Sequence, residues 1–109
     1  MANVFPVQLF PGFTSDATAI TIPLADLSGL TAEEANANTG NGMEVLRTII
    51  AKAEAQITAL APTAKPSRAT LVKSAPTIAT GPNVSPGTLR HSYTATFDLT
   101  PTGLEPAAE

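Results

Sequence analysis

The chain has 109 residues, a net charge of −3 and no cysteine, with 43% apolar and only 14% charged residues. That length suits one domain with a modest core. The missing cysteines exclude disulfides and thiolate chemistry and leave the compartment open. The six basic residues are scattered rather than clustered, which argues against a nucleic-acid or anionic-membrane footprint.

Residues 1–13, MANVFPVQLFPGF, hold Phe5, Phe10 and Phe13, three of the four phenylalanines in the chain. Pro6 and Pro11 argue for an extended arm or edge strand. The segment has no basic leader region and is broken by prolines, so it does not read as a signal peptide. It either caps the domain's own core or docks on a neighbouring subunit, and its aromatic concentration favours the second use. Val4, Phe5, Val7, Leu9, Phe10 and Phe13 are its candidate contact residues.

Thr14–Asp16 carries a turn signal, and residues 18–24, TAITIPL, alternate as a strand that Pro23 places near an edge or an end. Thr31-Ala32-Glu33-Glu34 matches a capping box and predicts a short helix through about Asn38. Gly40-Asn41-Gly42 follows. It lacks the Lys-Ser/Thr pair and the preceding apolar strand of a phosphate loop, so it reads as a loop and cap.

Residues 41–60 are the most periodic stretch. Leu46, Ile49, Ile50, Ala53, Ile57 and Leu60 recur at intervals of three and four, predicting a helix that ends near Ala61 before Pro62. Residues 68–75 and 88–99 read as strands that pair through the long Pro- and Gly-rich loop 76–87. Ile78 and Val84 are the contact candidates in that loop. The polar face of the last strand is almost uncharged. Residues 101–109 read as a tail, with Leu104 as its candidate anchor.

The predicted architecture is a two-layer α+β fold, an antiparallel sheet of about four strands with one main helix on one face. Residues 1–13 form the arm, 14–100 the single domain and 101–109 the tail.

Catalytic chemistry finds little support. His91 is the sole histidine, and no motif assembles it into a triad. Asp16, Asp26, Asp98, Glu33, Glu34 and Glu44 show no metal-ligand spacing. The acids Glu33 and Glu34 suit a helix N-terminus better than paired acid–base work. No enzyme activity, cofactor or metal is expected.

Three stretches carry a resemblance. Ile22–Glu34 reads I-P-x-x-x-L-x-G-L-T-x-x-E, Gly42–Arg47 opens the helix as G-x-x-V-L-R, and Ser92–Phe97 reads S-Y-T-x-x-F. Together, over roughly residues 20–99, they resemble small proteins encoded among the virion genes of tailed bacteriophages, cyanophages included. The resemblance implies a structural virion component, foremost a cement or decoration protein on the capsid surface, made in the host cytoplasm. Its implied partners are the major capsid protein and copies of itself, with no nucleic acid and no membrane. A tail, neck or fibre-base component and a non-virion protein-binding module are the alternatives.

Overall fold

The computed structural model describes residues 4–99. The fold is mixed α+β, with one main helix and small antiparallel ladders. The chain divides into two compact units between Ser67 and Arg68.

The first unit begins with a feature the prolines did not suggest. Pro6–Leu9 forms a one-turn helix, α1, where an extended arm was expected. Pro6 occupies the first helical position, where its missing N–H has no partner to lose and its fixed φ suits the turn. The Gln8 side chain accepts the Phe5 N–H at 2.7 Å, and the Phe10 N–H closes the turn on the Pro6 carbonyl at 2.9 Å.

A small hairpin follows, Thr14–Ser15 (β1) antiparallel to Ile20–Thr21 (β2). Asp16 builds its turn. One carboxylate oxygen accepts the Thr18 and Ala19 N–H groups and the Thr18 hydroxyl, at 2.8, 2.9 and 3.0 Å. Further on, the Asp26 carboxylate accepts the Gly12 N–H at 2.8 Å. It ties the end of the α1 segment to the 3-10 turn Leu24–Asp26.

The capping box forms as read: Glu34 accepts the Thr31 N–H at 3.0 Å, and the Thr31 hydroxyl accepts the Glu34 N–H at 3.1 Å. The short helix expected after it is a single turn, closed by Ala35 N–H on the Thr31 carbonyl at 3.1 Å. Asn36 ends it by turning its side chain onto the Asn38 and Thr39 N–H groups, a bond that competes with continued helix.

The main helix, α2, spans Gly42–Ala59. The Asn41 side chain caps it by accepting from Met43 and Glu44 N–H at 3.1 and 3.2 Å. At the other end the Lys65 ammonium donates to the Ile57 and Thr58 carbonyls at 3.1 and 3.2 Å, groups a helix leaves without partners.

The buried arc of α2 is rotated from the expected stripe. Leu46 is 47% exposed, whereas Thr48 is 2% exposed. Val45, Ile49, Lys52 and Gln56 are half-buried, with Ala53 buried among them. Thr48 serves as an inward residue because its hydroxyl lies 2.9 Å from both the Glu44 and Val45 carbonyls, so its polar atom is satisfied. Phe10, Leu27, Thr48 and Ala53 are the buried residues of this unit, and α1 packs against α2.

The second unit is one long antiparallel hairpin. Ala69–Lys73 (β3) pairs with Tyr93–Phe97 (β6), and Thr77–Ile78 (β4) pairs with Leu89–Arg90 (β5). The expected pairing of the two strands after the helix is therefore present, as two ladders on one hairpin. Ser74 N–H extends the first ladder to the Ser92 carbonyl at 2.9 Å. Beyond that point Ala75 and Pro76 stand against His91 alone, the residue count of a β-bulge. Pro76 has no N–H to give a ladder and sits where none is required.

At the tip, Ala79 N–H bonds the Thr88 carbonyl at 2.9 Å. Asn83 and Gly87 there take positive φ of 79° and 83°. Asn and Gly bear that left-handed geometry at least cost.

Candidate interaction surfaces

The fold gathers no catalytic constellation. Among the described residues, no group of three His, Asp or Glu side chains is placed to hold a metal ion. His91 lies exposed opposite the bulge. Two carboxyls are held below their ordinary pKa, and both have local structural causes. Asp16 is lowered first by the Thr18 backbone N–H, then by the Thr18 hydroxyl and the Ala19 N–H. Glu44 is lowered by the Arg47 guanidinium, which grips it with two bonds of 2.9 Å one turn along α2.

The contact candidates of the first segment divide by burial. Phe10 is 7% exposed and belongs to the chain's own core. Val4, Leu9 and Phe13 are half-buried. Phe5 and Val7 are exposed, Phe5 at 63%. So α1 uses one side internally and presents Phe5 and Val7 outward. Leu104 lies outside the described residues.

On the hairpin, Ile78 is 72% exposed beside the tip, and Val84 is exposed within it. The structure adds residues that sequence reading did not single out as contacts: Val72, Leu89, Phe97 and Leu99 are exposed as well. No described residue of this hairpin is fully buried. The signal for them lay in the ladder itself. A two-stranded ribbon has two faces and two edges, and alternation assigns an apolar face without supplying anything to cover it.

Backbone groups matter as much as side chains. Each of β3 and β6 pairs with the other alone, so each keeps one open edge of N–H and C=O groups. Among the described residues no helix is long and apolar enough to cross a membrane. Comparison with protein-family models, with curated proteins and with solved structures gave no match.

Proposed function

We propose that this chain is a structural protein of a tailed-phage virion, a cement or decoration protein that stabilises the head through contacts with the major capsid protein and with copies of itself. It acts by burying surface, with no catalytic step, cofactor, nucleic acid or membrane. The observation that carries this reading is the hairpin of residues 68–99. It exposes Val72, Ile78, Leu89, Phe97 and Leu99 and has no fully buried residue of its own. An isolated two-stranded hairpin is marginal in water. Covering one such apolar side chain stabilises by about 1.5–3 kcal/mol, so a partner surface supplies what the ribbon lacks.

Low charge and hydroxyl-rich faces favour close packing over ionic steering. The resemblance of Ile22–Glu34, Gly42–Arg47 and Ser92–Phe97 to phage virion-gene products supplies the setting. The outward side chains Phe5 and Val7 on α1 offer a second patch.

The test is the protein content of purified particles, read by mass spectrometry, with the site located by electron microscopy. Density on the icosahedral surface at stoichiometric copy number supports a cement. Density on the tail axis moves the assignment to a neck or tail component. Absence from particles removes the virion reading and leaves a protein-binding module. A Phe97→Ser, Ile78→Ser double variant should lose particle retention while the first unit stays folded.

A further inference from the structure

We infer that the open edge of β6 is a self-pairing seam, where two copies of this chain join antiparallel about Ala95 to make one four-stranded sheet ordered β3-β6-β6-β3. The inference rests on the reading of the hairpin as a contact surface and not on any virion location.

The first argument is parity. Ser92 accepts from Ser74, and Asp98 donates its N–H to the Arg68 carbonyl at 2.8 Å. Both belong to the register that pairs Thr94 with Val72 and Thr96 with Thr70. In an antiparallel ladder the bonded pairs alternate, so the even-numbered residues of this strand spend their N–H and C=O groups on β3. Those of Tyr93, Ala95 and Phe97 point to the open edge.

The second argument is the order of side chains. Tyr93-Thr94-Ala95-Thr96-Phe97 reads aromatic, threonine, alanine, threonine, aromatic, and its centre is an outward-bonding residue. A twofold axis at Ala95 sets Tyr93 opposite Phe97 of the second copy and Thr94 opposite Thr96. Aromatic–aromatic and Thr–Thr pairs are among the favourable cross-strand pairs. Phe97, 65% exposed, would gain an aromatic neighbour. Symmetry makes every contact twice, as an isologous interface requires.

The third argument is charge, and it chooses β6 over β3. In this register Asp98 comes opposite Ser92 of the second copy, one diagonal step from its Arg90, and the same pair recurs at the other end of the seam. The equivalent pairing of β3 about Leu71 places Lys73 of each copy at the seam with Arg68 close by. No acid lies on that strand to answer them. An edge lysine of this kind discourages pairing.

The experiment uses the purified full chain. Sedimentation at about 100 µM should show a dimer. Ala95→Pro should make it monomeric, because proline there removes an outward N–H and leaves the β3 ladder its donors. Protected Thr94 and Thr96 amides in that variant would show the hairpin intact.

Independently, Ala95→Cys in this cysteine-free chain should oxidise quickly to a disulfide-linked dimer. Directly opposed bonded residues have Cα atoms about 5.5 Å apart, within disulfide range. Thr94→Cys, whose opposite number is Thr96, should cross-link at least tenfold more slowly. A monomeric parent chain, a dimer that keeps its affinity in Ala95→Pro with the hairpin intact, or equal cross-linking of the two cysteine variants would each overturn the seam. Particles lacking the protein would sink the virion reading and leave this result untouched.

Discussion

Gln56, two-thirds of the way along the main helix, donates its side-chain N–H to the Gln8 carbonyl at 3.0 Å, across 48 residues of sequence. It fastens the end of α1 to α2 and explains why a glutamine is drawn into the half-buried arc of that helix. Replacing Gln56 with alanine should cost about 1 kcal/mol, the usual net value of one such bond. The checks are the urea midpoint and the rate of proteolysis within residues 4–13. If neither changes, the clasp contributes nothing.

The same segment separates core from surface within a few residues. Phe10→Ala should destabilise by about 3–5 kcal/mol, because a buried aromatic ring leaves a cavity in a core with few other members. Phe5→Ala should stay within about 0.5 kcal/mol, as surface changes usually do. Denaturant titrations followed by helix circular dichroism compare the two. Removal of residues 1–13 would therefore damage the fold, so a retention assay on particles should use Phe5 and Val7 changes instead.

Two glycines flank Asn41 and should respond in opposite directions to alanine. A Cβ on Gly40 would overlap the Glu34 carbonyl oxygen and stand 2.6 Å from that of Asn36, where the chain folds back on the capping turn. Gly40→Ala should cost more than about 2 kcal/mol, as backbone overlap is not relieved by a rotamer change. A Cβ on Gly42 meets nothing within 4 Å, and the residue lies in the first turn of α2. Gly42→Ala should stabilise by about 0.4–1 kcal/mol through the unfolded chain's lost freedom. Thermal melts of the two variants give the signs.

Acid should loosen the first unit through two exposed carboxylates. Asp16 and Glu44 both have lowered pKa values in the fold, so the unfolded chain takes up protons more readily. Their contribution is complete above the ordinary carboxylate value of about 4 and is lost as pH falls through and below it. Urea midpoints measured from pH 7 down to about 3 should decline in that last interval. Asp16→Asn with Glu44→Gln should flatten the decline; an unchanged slope would mean other groups govern it.

How far the sequence spoke for the structure depends on the kind of signal. Asn41 and the Thr31–Glu34 box were legible because a cap is a local bond between named groups a few residues apart. The termini of α2 were legible for the same reason, with Pro62 marking the stop. The buried arc of that helix was not. Counting apolar residues put Leu46 inward, but a threonine that satisfies itself on the preceding turn and a glutamine that reaches α1 turned the helix toward Thr48 and Gln56. Pro6 misled in a similar way, since proline opposes helix in the interior and favours it at the first position. On the hairpin, alternation revealed the strands and their pairing. It could not reveal that the ribbon's apolar side chains stay uncovered, which depends on what packs there and not on the strand itself.

The strands of a hairpin stay in phase only by counting. Between the two ladders the outgoing strand spends one residue more than the returning strand, so Ile78 faces Leu89 rather than Arg90. Removing Ala75 would cancel the extra count. The tip would then turn over with its composition unchanged, exchanging the apolar pair for one that sets Ile78 against Arg90. Which way the loop at 79–88 presents itself is thus written in the length of the chain, and a one-residue deletion would misdirect it while every contact side chain remained in place.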